Sequence, residues 1–391
     1  MSKNSIVIIM LFLSIFAAIT NEMGIIGILP QITDKYQIST SQAGILVSVF
    51  ALVLTIFGPI MTLSTGAFNR KHMLLFIMFI VIIASVVLAY SSSFIIAIIF
   101  RIIPALFLAV LYPLAISVAE KVSSPEKKKS ASAKVFAGLT LGTVTGVPIT
   151  SFLAERLSLE VAFLFCAGIS LIAFLGIAFY MPSMPVQHKV SYGKQVSILK
   201  RLPVWLNIIT VTLIFTTMFS VYTYFADYIT KVANIQSTWI SVMLMAFGLF
   251  GLIGNFLFSY FLQKNTNRTV IIYPIIFLIT YGLLGLSGNH TTMTIIIVFI
   301  WGTVHSAGFL LSQTWLGTET QDAPEFGNSL YLSFANLGIT LGSAIGGWFI
   351  SQFGIGSLLF SGILFATIAL ISVLTKLTFA KKRIFSSNSC N

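Results

Sequence analysis

The sequence predicts an all-α membrane protein with twelve transmembrane helices, and three observations carry the prediction. The first is composition. Of 391 residues, 57% are hydrophobic and 8% are charged, whereas a soluble domain carries about 25% charged residues. A soluble fold of this size cannot hide so much apolar surface. The second is pattern. The apolar residues form continuous runs of about twenty, the length a helix needs to cross a bilayer, not the alternation of a membrane barrel strand. Lipid leaves backbone groups no partner outside the structure, so these runs must be helical. The third is the placement of lysine and arginine, taken up after the elements.

Turn and charge clusters cut the chain into spans at 5–30, 41–66, 72–90, 93–119, 131–156, 161–181, 204–229, 238–263, 269–288, 291–316, 326–350 and 356–379. The breaks hold residues such as Thr33-Asp34-Lys35, Asn69-Arg70-Lys71, Ser91-Ser92-Ser93 and Lys264-Asn265-Thr266-Asn267, which favour turns over helix interiors. The first run, from Ile6 to Pro30, is too long for a signal-peptide core and is read as a retained span.

With twelve spans and a cytoplasmic N-terminus, 18 of the 22 Lys and Arg fall on the cytoplasmic side. Lys35, Arg156 and Lys231 fall outside and Arg101 lies within span four. This asymmetry is the positive-inside pattern of a cell-membrane protein with both termini inside. It also accounts for the net charge of +12: the basic loops, including Lys127-Lys128-Lys129, face anionic lipid, and no nucleic-acid partner is needed. Cys166 lies in an apolar run and Cys390 near the C-terminus, and neither suggests a disulfide or a metal site.

The longest hydrophilic connection, 182–203, divides the chain near its midpoint. The expected organisation is a six-helix bundle at 1–181, a cytoplasmic linker at 182–203, a second bundle at 204–379 and a tail at 380–391. The halves echo each other. Ile32-Thr33 and Ile38 recur as Ile229-Thr230 and Ile235, 197 positions on, and Phe136-Ala137-x-Leu139 recurs as Phe334-Ala335-x-Leu337, 198 positions on.

Asn21-Glu22-Met23-Gly24-x-x-Gly27-Ile28-Leu29-Pro30 in span one, Phe136-Ala137-Gly138-Leu139-Thr140 with Gly146-Val147-Pro148 in span five, and Phe334-Ala335-Asn336-Leu337-Gly338 in span eleven resemble the drug:proton antiporter branch of the major facilitator superfamily, in particular bacterial arabinose- and sugar-efflux-like members. The resemblance covers nearly the whole chain. It implies two pseudo-symmetric six-helix bundles with a substrate site between them near the midplane, a coupling acid in span one, and spans one and four as neighbours. The sequence departs from the superfamily's span two–three loop pattern. Gly66 stands in the slot of its Asp and Ala67 in that of the following Arg, so the usual inner charge lock is at least partly absent.

Glu22 is the sharpest single signal. It sits about 12 Å deep at 1.5 Å per residue, where a carboxylate is costly unless protonated or paired. It is a candidate proton carrier; the alternative is a carboxylate locked in hydrogen bonds that orients spans one and four. Arg101 lies at a similar depth on span four and is expected to approach Glu22, or to compete with it for a proton or a substrate anion. The alternative there is a permanent structural pair. Pro104 lies three residues on and removes a backbone donor. Asp227, near the outer end of span seven, is a possible outer-gate acid or a solvated one. Asn21, Tyr222, Tyr224, Trp301, His305 and Asn336 are candidate cavity residues, since aromatic walls with few polar groups suit small organic ligands; packing is the alternative for each. Gly138, Gly142 and Gly146 share a face of span five, followed by Pro148. Gly248, Gly251 and Gly254 in span eight and Gly338, Gly342 and Gly346 in span eleven repeat the theme of close helix approach. The family's antiporter motif would add a leak-limiting role for span five.

No phosphate-binding lysine motif, metal-ligand spacing or catalytic triad is present, so neither an enzyme nor a cofactor is expected. The leading expectation is a monomeric exporter of small organic molecules or drugs, conferring drug resistance and driven by a proton gradient. The alternatives are a dedicated exporter of one metabolite (a sugar, a purine or nucleoside, or a metallophore) and a membrane sensor without flux.

Overall fold

The computed structural model describes residues 3–65, 68–185, 195–287, 290–322 and 324–388. The described residues are almost wholly helical and contain no strand. Fourteen α-helices follow in order among them: α1 (Lys3–Gly27), α2 (Leu29–Tyr36), α3 (Thr40–Thr65), α4 (Arg70–Tyr90), α5 (Phe94–Lys121), α6 (Lys128–Leu141), α7 (Val147–Arg156), α8 (Leu159–Tyr180), α9 (Leu202–Tyr222), α10 (Phe225–Lys231), α11 (Ile240–Ser287), α12 (Thr291–Gly317), α13 (Pro324–Phe353) and α14 (Leu358–Asn388).

Eleven helical stretches among the described residues are long and apolar enough to cross a membrane. One of them, Ser237–Ser287, is 51 residues long, far more than a bilayer requires. It is broken at Asn265, whose φ of −160° and ψ of 93° are not helical. The Asn265 side chain accepts a hydrogen bond from the Arg268 amide at 3.0 Å, so the same residue ends one segment and caps the next. The break falls in the polar cluster expected between spans eight and nine. Span five is α6 and α7 joined by a π-helical turn, Gly142–Gly146, in which the Val147 amide reaches the Gly142 carbonyl. Spans one and seven each continue past a break into a short helix, α2 after Ile28 and α10 after Thr223 and Tyr224.

The internal echo has a backbone counterpart. Gln37 (φ 52°) and Asn234 (φ 54°) are the non-glycine residues in left-handed conformation among those described, and they stand 197 positions apart, the offset of the surrounding sequence repeat. Each closes the short helix before it: the Ile38 amide reaches the Thr33 carbonyl and the Ile235 amide the Ile229 carbonyl.

Two compact units emerge. The first takes in residues 1–190, 225–230 and 235–245, and the second 191–224, 231–234 and 246–391. In the first, α1 is packed by α5, α6, α7 and α8, α3 lies on α5, and α4 lies on α8. Its core includes Leu11, Phe50, Leu74, Ile77, Met78, Val81, Leu108 and Leu111. In the second, α9 is packed by α12, α13 and α14. The outward faces carry Phe179, Phe256 and Leu286 at 75–80% exposure, which water would not tolerate on this scale and lipid does.

Gly66, Ala67, His188, Lys189, Lys194 and Cys390 lie outside the described residues, and with them the expected departure in the span two–three loop. Cys166 is buried and free.

Candidate functional site

The first unit holds a polar node in its apolar interior, built on α5. Arg101 and Tyr112 are eleven residues apart on that helix, about three turns, and so share a face. Arg101 is 1% exposed. Its guanidinium donates to the Asn21 carbonyl at 2.7 Å, to Asn21 Oδ1 at 3.3 Å, to the Glu22 carbonyl at 3.0 Å and to the Leu46 carbonyl at 3.3 Å. Its charged plane also lies 4.1 Å from the Phe50 ring centroid, a cation–π contact. Asn21 Nδ2 extends the node to Ser85 Oγ on α4 at 3.0 Å. One arginine thus ties α5 to α1 and α3 through carbonyl dipoles, which is how a buried cation keeps its hydrogen bonds in a dry interior.

The Glu22 carboxylate is not among the groups Arg101 grasps. The expected approach of the two residues occurs, but the guanidinium meets the backbone of Glu22 rather than its side chain. A sequence shows side chains and hides the carbonyls that compete for them. The carboxylate instead accepts from the Tyr112 hydroxyl, at 3.1 Å to Oε2. No described residue donates to Oε1, and Glu22 keeps 8% of its surface accessible. Tyr112 was missed by sequence reasoning; its three-turn spacing from Arg101 was the available signal. Beside Asn21 lies a cavity of about 10 Å³, lined by Thr20, Gly24, Thr150 and Cys166 among others, room for roughly one water molecule.

The helix bearing Glu22 is held by α6 and the π turn. A side chain on Gly138 would meet the Phe12 carbonyl at 2.5 Å, one on Gly142 the Phe16 carbonyl at 3.0 Å, and one on Gly146 would run into Thr20. A Cβ at 138 or 146 would force a neighbour to move, and one at 142 would sit at the limit of contact. Pro148, buried just after the wide turn, lacks the amide that would restore regular pairing there. In the second unit, a side chain on Gly338 would meet the Thr212 carbonyl at 2.5 Å, one on Gly342 the Thr216 carbonyl at 2.8 Å, and one on Gly346 would run into the Ser220 carbonyl. The two glycine ladders lie 200 positions apart. Gly251 and Gly254 of α11 approach Ser306 and Thr303 of α12 in the same way.

The second unit gathers three of the residues expected to line a cavity. His305 lies in an aromatic box, 4.4 Å from the Tyr222 ring, 5.3 Å from Phe247 and 5.5 Å from Phe219, with Trp301 at 6.4 Å. His305 is 3% exposed, and its Nδ1 has no hydrogen-bond partner among the described residues. The other candidates are placed apart from this box. Tyr224 donates to the Ser343 carbonyl at 2.7 Å, and Asn336 Nδ2 donates to the Leu332 carbonyl of its own helix at 2.9 Å. Asn21 belongs to the first unit. Asp227, fully buried, also falls within the first unit and accepts from Thr40 at 3.2 Å.

The family model described as Major Facilitator Superfamily matches residues 11–325. The chain belongs to the major facilitator superfamily. It is therefore a multi-pass membrane transporter, not an enzyme, and members of this family work without a cofactor. Among its relatives is the "Inner membrane transport protein YdhP" of Escherichia coli (strain K12), 27% identical over 337 residues that cover 86% of each chain. Another is a "Probable sugar efflux transporter" of Helicobacter acinonychis, 25% identical with 90% of each chain covered. Solved structures share the fold. A bacterial homolog of the human lysosomal transporter Spinster superposes with a TM-score of 0.81 at 16% identity, covering 97% of this chain and 98% of that one. The D-xylose–proton symporter superposes with a TM-score of 0.73 at 14% identity, covering 95% and 97%.

Proposed function

We propose that this transporter exports small organic molecules across the inner membrane in exchange for protons, with Glu22 as the proton carrier. The observation that carries the reading is the setting of that carboxylate. It is buried in the middle of a polar node, has one hydrogen-bond donor among the described residues, and has a neighbouring arginine engaged by three backbone carbonyls and the Asn21 side chain. Such a group binds or releases a proton without a salt bridge having to break. Its charged form is costly in a dry interior, which suits a site that alternates between protonated and deprotonated states as access to it changes sides. In this scheme a proton enters from outside onto Glu22, substrate leaves, and the return step delivers the proton inside. Arg101 holds the Glu22 backbone in place throughout, the box around His305 with Tyr222 and Trp301 contacts substrate together with Asn21, Tyr224 and Asn336, and Asp227 serves the outer gate.

The topology we assign is twelve spans, counting Ser237–Ser287 as two crossings. Both termini are cytoplasmic, the bundles run over 1–181 and 204–379, the linker is 182–203 and the tail 380–391. The distribution of Lys and Arg supports it. Membership in the drug:proton antiporter branch, action as a monomer and a role in drug resistance belong to the same reading. The likeness to the Helicobacter probable sugar efflux transporter favours a second reading, dedicated efflux of a sugar; competition by chemically unrelated compounds separates the two.

The test is Glu22→Gln in proteoliposomes. The variant is expected to insert and fold but to lose export driven by a pH gradient. Export at the native rate would remove Glu22 from the coupling role.

A further inference from the structure

A second polar cavity lies at the other end of the first unit, where α1 begins and α5 gives way to α6. Its volume is about 450 Å³, within the range of small-ligand sites, roughly 300–1,000 Å³. One wall is basic: Lys127, the N-cap residue of α6, lines it together with Ser130 and Lys134, and the latter two, four residues apart, share one face of that helix. Neither ammonium group, nor the Ser130 hydroxyl, has a hydrogen-bond or ion-pair partner among the described residues. The facing wall is fixed by Asn4, whose Nδ2 donates to the Val122 carbonyl at 2.7 Å. Ile8 and Val122 make the floor apolar. Glu120 does not line the cavity and accepts from Ser132 at 2.7 Å, and Glu126 does not line it either. The cavity also opens at the start of α6, whose first amides favour an anion.

We propose that this cavity is a binding site for the phosphodiester headgroup of an anionic membrane lipid. Two free ammonium groups and a free hydroxyl match phosphate oxygens, and Ile8 and Val122 offer apolar contact to the carbon chains that a lipid phosphate carries. A phosphate dianion free in solution would use the basic wall but gain nothing from Ile8 and Val122.

Thermal unfolding of the full-length purified chain in detergent, titrated with phosphatidylglycerol, phosphatidylcholine or inorganic phosphate, tests the assignment. Phosphatidylglycerol is expected to stabilise the chain, with phosphatidylcholine and phosphate weaker at equal concentration. Lys127→Gln with Lys134→Gln should raise the half-saturating concentration of phosphatidylglycerol about thirtyfold, from the worth of two lysines beside anionic lipid, and the paired arginine variant should retain binding. A glutamine pair that responds like the native chain overturns the site, and inorganic phosphate matching the lipid overturns the lipid assignment. Should the glutamine pair fail to fold, Ser130→Leu, which replaces the hydroxyl with an apolar branch intruding on the cavity, is read by the same criteria.

Discussion

Arg101→Lys keeps the buried charge and removes the geometry, and so isolates what the guanidinium contributes. The native group makes four hydrogen bonds, three to residues 21 and 22 of α1 and one to Leu46 of α3. A lysine offers three donors from a single nitrogen and can serve one of these helices but not both. At least one charged hydrogen bond is lost, worth about 1.5–3 kcal/mol, and the contact with the Phe50 ring weakens as well. The expected loss of unfolding free energy is about 1.5 kcal/mol or more. Reversible unfolding in mixed micelles, with native and variant chains in parallel, measures it. A variant within about 0.5 kcal/mol of the native chain, the size of an ordinary surface change, would refute the claim that this arginine clamps α1 to α3 and α5.

Other expected outcomes follow from the same geometry. Tyr112→Phe removes the donor to Glu22, and its effect on transport should disappear in a Glu22→Gln background; additive effects in that double-mutant cycle would show the contact to be idle. Gly142→Leu should abolish folding, because a branched side chain meets the Phe16 carbonyl, whereas Gly142→Ala should cost about 1–3 kcal/mol; size-exclusion profiles and melting of the purified variants distinguish them. His305→Phe should leave stability equal or about 1 kcal/mol higher, since it removes a buried nitrogen without a partner; a lower melting temperature would mean that Nδ1 is satisfied after all.

Much of the fold was legible because lipid makes simple demands on a sequence. The breaks at Asn69–Lys71, Ser91–Ser93 and Lys264–Asn267 are polar interruptions in apolar runs, and helices end or bend at each of them. The π turn at Gly142–Gly146 was not legible. It inserts an extra residue per turn into a stretch whose composition is helical either way. The break at Ile28 was hidden for the same reason, since an isoleucine between Gly27 and Leu29 reads as helix interior. At the site, Glu22 and Arg101 stood out because charge in an apolar run is conspicuous. What they bind did not, because Arg101 chose backbone oxygens, and because Tyr112, amid the apolar residues of span four, resembles an ordinary packing aromatic. Tyr222, Trp301 and His305 converge in one box, while Tyr224 and Asn336 spend their donors on nearby carbonyls, a distinction that depends on rotamers and not on residue type.

The manner in which Arg101 is occupied bears on what cargo the protein can accept. An anion seeking this guanidinium would have to displace four hydrogen bonds of 2.7–3.3 Å before gaining any attraction of its own, and nothing it brings replaces the cross-helix bracing it would undo. The net invitation at the heart of the first unit is therefore issued by an acid. On the export scheme proposed above, neutral, hydroxyl-rich or cationic cargo would find an acceptor in Glu22, whereas a carboxylate or phosphate would find an arginine already engaged.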